Sequence, residues 1–181
     1  MQLISSLRPS ATKLNILVLL FALMLVFSGC GDSGKTTKVP KTAPAFTLTT
    51  LDGQTITRDG LKGKVVLLDF WATWCPPCRA AIPHLIKLYD KYKDEGLVVV
   101  GVSLDKGDRK EVVDFVKRNR IPYPVSVAPD NPIIKDMGNI SSLPTLIMLD
   151  RKAEISFKVI GFNQEIGEKL ENRLEKLLKA E

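Results

Sequence analysis

Two cysteines separated by two residues can open and close a disulfide between themselves, and this chain has one such pair, in Trp74-Cys75-Pro76-Pro77-Cys78. An apolar run from Lys64 to Trp71 precedes the pair. A segment with apolar residues at helical spacing (Ile82, Leu85, Ile86, Tyr89, Tyr92) follows it. The pair therefore belongs at a strand-to-helix junction, with Cys75 at the helix N-terminus and Cys78 one turn inside. Free amides and the helix dipole at that place favour a thiolate. Such a thiolate can attack a substrate disulfide, and a second thiol within reach can resolve the mixed disulfide. The same spacing is also half of a zinc site, which needs two further ligands. The candidates are His84, the single histidine, and Cys30, a thin set.

Cys30 has a different setting. The first thirty residues carry Arg8 and Lys13, no acid, and an unbroken apolar run of 12 residues from Ile16 to Phe27. A bilayer-spanning helix needs about 20 apolar residues, whereas about 10–14 suits the hydrophobic region of an export signal. Ser28 and Gly29 directly before Cys30 resemble the lipobox of bacterial lipoproteins. That resemblance implies a signal peptide over residues 1–29 and a diacylated Cys30 at the mature N-terminus. Two acyl chains suffice for stable membrane anchoring. An uncleaved N-terminal anchor is the alternative, and it too leaves the protein tethered. Residues 30–44 then hold the lipidated cysteine and a small, polar, proline-interrupted tether bearing Lys35, Lys38 and Lys41. Residues 45–181 are left for one globular domain.

Length and charge agree with that division. The chain has 181 residues, 45% hydrophobic and 25% charged, enough for one well-covered core and too little for two. Three cysteines are too few for a domain stapled by several bridges. The formal charge of +6 raises the question of nucleic acid. Removing residues 1–29 takes away Arg8 and Lys13 and no acid, leaving 24 basic against 20 acidic residues, a balance of +4. Part of that excess lies in the tether, so no nucleic-acid partner is expected.

The elements that must position the cysteines follow from periodicity. Phe46 to Thr50 and Gln54 to Thr57 alternate around Asp52-Gly53, a hairpin signal. Lys64 to Trp71 and Gly96 to Leu104 read as buried strands. Arg79 to Tyr92 reads as a helix that Pro83 should kink. Asp108 and Glu111 form a capping-box pattern before a helix over Val112 to Arg118. A short strand is expected at Tyr123 to Val127 and a short helix over Asn131 to Met137, closed by Gly138. Thr145 to Leu149 and Glu154 to Ile160 suit a hairpin turning at Asp150 to Lys152. Ile166, Leu170, Leu174 and Leu177 mark one face of a last amphipathic helix. Parallel strands joined by helices, then a hairpin and a helix, predict an α/β fold with a mixed sheet flanked by helices on both faces.

The run Asp69-Phe-Trp-Ala-Thr-Trp-Cys-Pro-Pro-Cys-Arg79, with Pro83 five residues beyond the second cysteine, resembles the active-site segment of the thioredoxin superfamily. With the N-terminal hairpin, an inserted helix-strand element near residues 96–127, and Leu143-Pro144-Thr145 before a strand, it most resembles the TlpA/ResA-like branch. These are membrane-tethered extracytoplasmic thiol-disulfide oxidoreductases. The resemblance spans about residues 43–178 and implies a thioredoxin-like fold and reduction of protein disulfides, including those of apocytochrome c. It further implies a membrane-bound thiol-relay electron donor and no cofactor or metal.

Residue by residue, the resemblance makes Cys75 the nucleophile and Cys78 the resolving thiol. It makes Pro144 a cis-proline facing the disulfide, with Leu143 and Thr145 beside it meeting an extended substrate; counted without the family, a trans bond is the default. Asp69 matches the buried aspartate of thioredoxins, a proton acceptor for Cys78, or else is a strand-end carboxylate bonded to backbone. Trp74, Pro76 and Pro77 shape the substrate surface, while Trp71 suits packing equally well. His84 is expected on the helix surface. Many members of the branch carry a glutamate three residues after the second cysteine; here that position is Ala81. Pro76 and Pro77 also deny the Cys75 sulfur two amide donors, which favours a reductant over a strong oxidant. Two rival readings are a peroxiredoxin-like peroxidase, which wants a lone peroxidatic cysteine, and a copper chaperone, which commonly spaces its cysteines by three and adds a distant histidine.

Overall fold

The structure, a computed structural model, describes residues 41–180. The expected signal peptide, Cys30 and most of the tether lie outside the described residues. Within them, no helix is long and apolar enough to cross a membrane.

The seven residues of β3 (Val65–Trp71) are all buried, as a β-branched and apolar run must be if both sheet faces are covered. On one side β3 pairs in parallel with β4 (Leu97–Ser103) along its full length. On the other it pairs antiparallel with β6 (Thr145–Leu149). Outside β4 lies the parallel β5 (Val125–Val127), and outside β6 the antiparallel β7 (Ile155–Ile160), giving the order β5-β4-β3-β6-β7. The expected N-terminal hairpin is formed by β1 (Thr47–Thr49) and β2 (Thr55–Thr57), with Gly53 at φ 86° in the turn. It is stitched to the sheet by a bridge from Thr50 to Ser126. The incoming chain is fastened at the opposite end of β6: Ala43 N–H donates to Ala153 O and Ile155 N–H to Lys41 O, beside the β6–β7 turn.

Among the described residues four α-helices accompany the sheet, besides short 3-10 turns at Asp59–Leu61 and Lys93–Glu95: α1 (Pro76–Tyr92), α2 (Arg109–Arg118), α3 (Ile133–Asp136) and α4 (Gln164–Lys179). Alternation along β3 divides the core. Val65, Leu67 and Trp71 pack with Leu85 of α1, Phe115 of α2 and Leu170 and Leu174 of α4. Val66, Leu68 and Phe70 pack with Leu48 of the hairpin and with Ile133 and Met137 in and beside α3. Both faces are covered, one by three helices and the other by the hairpin and a single turn of helix.

Three local details differ from the sequence expectation. Helix α1 begins at Pro76, as the placement of Cys75 at a helix N-terminus requires but ahead of the periodic stretch from Arg79, because Pro76 and Pro77 occupy N1 and N2, where a missing N–H costs nothing. It then runs through Pro83 as one element. Asp108 caps α2 through the Lys110 N–H at 2.8 Å, without the return bond from Glu111 that a capping box requires. His84 is not on the surface. It is half-buried against α4, where the bare Cα of Gly167 makes room for the imidazole and Phe162 packs beside it, ring centroids 5.6 Å apart.

Gly101, the register partner of Asp69, sits beneath the helical face of the sheet. A Cβ built there would lie 3.1 Å from Trp71 Nε1 and 3.2 Å from Val125 Cγ2. Trp71 is itself fixed against Phe115 (ring centroids 5.2 Å apart) and cannot recede. Gly101→Ala is therefore expected to cost about 1–3 kcal/mol by overpacking. A urea unfolding midpoint equal to that of the parent chain would contradict this packing account.

Candidate active site

Where β3 ends, the chain must turn from the sheet into α1, and the turn places Cys75 at the N-cap of the helix in an extended conformation (φ −92°, ψ 106°). Cys75 and Cys78 form a disulfide, with Cα atoms 5.3 Å apart. Both are buried, Cys78 completely and Cys75 to all but 4%. The Cys78 N–H donates to Cys75 Sγ at 3.3 Å. It is the only first-turn amide available to that sulfur in this direction, since Pro76 and Pro77 have none.

An apolar groove of about 480 Å³ opens beside the disulfide. It is lined by Trp74, Cys75, Pro76 and Pro77 from the turn after β3 and the start of α1, by Leu104 from the segment after β4, and by Ile140, Ser141 and Leu143 from the segment before β6. Trp74 is 67% exposed, an unusual exposure for an indole and one that leaves its face available at the groove mouth. Trp71, by contrast, lies wholly in the core. The Leu143–Pro144 peptide bond is cis. Pro144 is buried and its carbonyl accepts the Gly161 N–H at 2.8 Å, while Thr145 is buried in β6 with its hydroxyl donating to Ser142 O at 2.7 Å. Of the residues singled out in the sequence, the structure thus gathers Trp74, Cys75, Pro76, Pro77 and Leu143 around one groove. Pro144 and Thr145 follow Leu143 in the chain and are buried, outside the lining of the groove.

Asp69 lies deeper. By alternation it faces the same side of β3 as Leu67 and Trp71, which pack in one cluster with Cys75 and Cys78. It is 1% exposed, and its Oδ1 has no hydrogen-bond partner, so the backbone-bonded alternative does not describe that oxygen. Burial pushes its carboxyl up from 3.8 to about 7. The buried phenol of Tyr123 is pushed well above its ordinary value by its own burial and then by the charge of Asp69.

Sequence reasoning missed several of these neighbours. Leu104 and Ile140 come from loops distant in sequence, and nothing local marks them. Tyr123 reads only as part of an apolar stretch. Gly101 did carry a signal, as a single glycine inside a β-branched strand, a common mark of close approach by another group. His84 does not join the cysteines, and among the described residues no three His, Cys, Asp or Glu side chains gather as a metal site.

A disulfide capped by one amide, set at a strand-to-helix corner and flanked by an apolar groove, is equipped to exchange with disulfides of other molecules. Fold and site together define a thiol-disulfide oxidoreductase on a thioredoxin-like scaffold. Comparison with known proteins gives the family. Residues 39–158 match the model of the AhpC/TSA family, and the chain belongs to that family. It is 33% identical over 170 residues to a thiol-disulfide oxidoreductase ResA of Bacillus cereus, covering 88% of this chain and 96% of that one. It is 29% identical over 150 residues to sporulation thiol-disulfide oxidoreductase A of Bacillus subtilis, covering 82% and 88%. Among solved structures it resembles a thiol:disulfide interchange protein of the thioredoxin family from Chlorobium tepidum. That match has a TM-score of 0.68, 28% identity, and coverage of 77% of this chain and 97% of that one.

The protonated state of Asp69 has a consequence for stability. Across the window from 3.8 to about 7 the folded chain keeps a proton that the unfolded chain has lost. The contribution of Asp69 to the stability of the oxidised protein therefore declines as pH rises through that window and levels off above it, by roughly 4 kcal/mol in all. Asp69→Asn is expected to flatten the slope and to leave the variant the more stable protein at about pH 8. Denaturant unfolding of both proteins at about pH 4 and about pH 8 measures this, and parallel slopes would reject the assignment.

Proposed function

We propose that this protein is an exported, membrane-held reductase of protein disulfides, apocytochrome c among them. The observation that carries the direction of the reaction is the pair of prolines at the first two helix positions. With one amide on Cys75 Sγ where a helix N-terminus could offer more, the thiolate is weakly stabilised, the disulfide is the favoured form, and the dithiol is a reductant.

In the proposed cycle the Cys75 thiolate attacks a substrate disulfide and forms a mixed disulfide, and one substrate thiolate leaves. Cys78 then gives up its proton and attacks Cys75 Sγ, which expels the second substrate sulfur as a thiolate and closes the internal disulfide. Asp69, buried on the same side of the sheet and poised near neutrality, accepts the Cys78 proton. The groove holds the peptide beside the substrate cysteine: Trp74, Pro76, Pro77 and Leu143 supply its apolar lining, with Pro144 and Thr145 fixing the backbone that Leu143 stands on. A membrane-bound donor of the thiol-relay type restores the dithiol.

Export and anchoring rest on the first thirty residues. A 12-residue apolar run after two basic residues, followed by Ser28-Gly29-Cys30, supports cleavage before Cys30, lipidation there, and an extracytoplasmic catalytic domain.

The midpoint potential of the Cys75–Cys78 couple is expected nearer thioredoxin at about −270 mV than DsbA at about −120 mV. A value above about −150 mV would overturn the reductant assignment. In its native host, the Cys78→Ser chain should be recovered from membranes with apocytochrome trapped on Cys75. Recovery from the soluble fraction would reject the anchor, and a trapped population without apocytochrome would reject that substrate.

A further inference from the structure

Strands β3 and β4 end together at Trp71 and Ser103, which are register partners. Beyond that point the two chains diverge, one leading to Trp74 and Cys75 and the other to Leu104, all of which line the active-site groove. Two chains leaving a sheet in this way lose their ladder bonds and are free to move apart. Here they do not. Leu104 N–H donates to Trp71 O at 2.9 Å, and the next residue replaces a backbone acceptor with a side chain. The Asp105 carboxylate receives the Thr73 N–H at 3.2 Å on Oδ1 and 3.1 Å on Oδ2, and the Thr73 hydroxyl at 2.6 Å on Oδ1. Ser103 Oγ donates to Oδ2 at 2.7 Å and accepts the Asp105 N–H at 3.2 Å. Asp105 is 6% exposed and Ser103 is fully buried, so the cluster is sheltered from competing water.

Every donor in this cluster has an acceptor, and each end of it adjoins a residue of the groove. Thr73 is joined directly to Trp74, and Asp105 directly to Leu104. We propose that Asp105 is a positioning residue for thiol-disulfide exchange: its carboxylate holds Thr73, and with it the loop bearing Cys75, at a fixed separation from Leu104 across the groove. Asp105 does not touch the sulfurs. It sets the width of the slot in which a substrate disulfide must lie in line with Cys75 Sγ. A macromolecular disulfide needs that slot, whereas a small alkylating reagent does not.

This inference rests on Cys75 being the nucleophile, and the test separates the two. In the reduced Cys78→Ser chain, two reactions of Cys75 are followed. One is mixed-disulfide formation with a disulfide-linked dimer of an apolar cysteine peptide, in which one peptide thiolate leaves. The other is alkylation by iodoacetamide from about pH 6 to about pH 9. Asp105→Ala is expected to slow the peptide reaction about tenfold while alkylation stays within about twofold at every pH, and Asp105→Asn, which keeps an acceptor for Thr73, recovers much of the loss. Thr73→Val removes only the hydroxyl bond and is expected to slow the peptide reaction about threefold, which carries the test if Asp105→Ala does not fold. Equal slowing of both reactions, a displaced alkylation pH profile, or an unchanged peptide rate would overturn the proposal. Failure of Cys75 to react with either reagent when Asp105 is intact would overturn the nucleophile assignment, and the proposal with it.

Discussion

The structure depends on a central strand that is buried on both faces. β3 is bonded to β4 on one side and β6 on the other, so its backbone is satisfied by the ladders and its side chains are committed alternately to two separate cores. That constraint fixes the redox site. The C-terminal end of a buried strand is the place where the chain must emerge and turn, and the next helix must start there to cover the face just built. Cys75 caps that helix because it is the residue at the turn, and Cys78 is buried because it is one helical turn further along the covered side. Topological position and chemical position are the same fact.

Burial also separates the two cysteines chemically. Cys75 has the amide of Cys78 on its sulfur and an apolar groove beside it, so a partner can approach from solvent. Cys78 faces inward, toward the layer that holds Trp71, Leu85 and the unpaired carboxyl of Asp69. A buried acid with no cation paired to it is destabilising as an anion and costs little while protonated. The fold tolerates it because at mildly acid pH it is neutral, and the same property makes it able to take up or release a proton near neutrality. Ala81, on the helix, carries no carboxyl, so Asp69 of the strand is the one acid in the run from Asp69 to Ala81.

Much of this arrangement was legible in the sequence, and the legible part shares a property. The apolar run of β3, the spacing of α1, the Asp52-Gly53 turn and the cysteine pair are local patterns, each readable within a window of about ten residues. Asp69 was legible too, as an acid interrupting an apolar strand. What could not be read arises where distant segments meet. Asp105 looks like any acid after a strand until Thr73 is seen to lie against it, 32 residues away in sequence. His84 looked like a surface residue because its own helix gives no sign of the notch that Gly167 cuts into α4. Lys158 on β7 is another case. Its ammonium reaches back to the carbonyls of Met137 and Gly138 at the end of α3, so it is part-buried and held below its usual pKa in a strand that reads as half-exposed. In each case the periodicity gave the element correctly and the neighbour supplied the environment.

The incoming chain is fastened beside the β6–β7 turn, and the disulfide lies past the other end of β6. Five strand residues at about 3.4 Å each put roughly 17 Å between these points. Entry of the chain into the domain and exchange of disulfides are thereby assigned to opposite ends of one strand, so a change where the chain enters leaves the lining of the groove as it is.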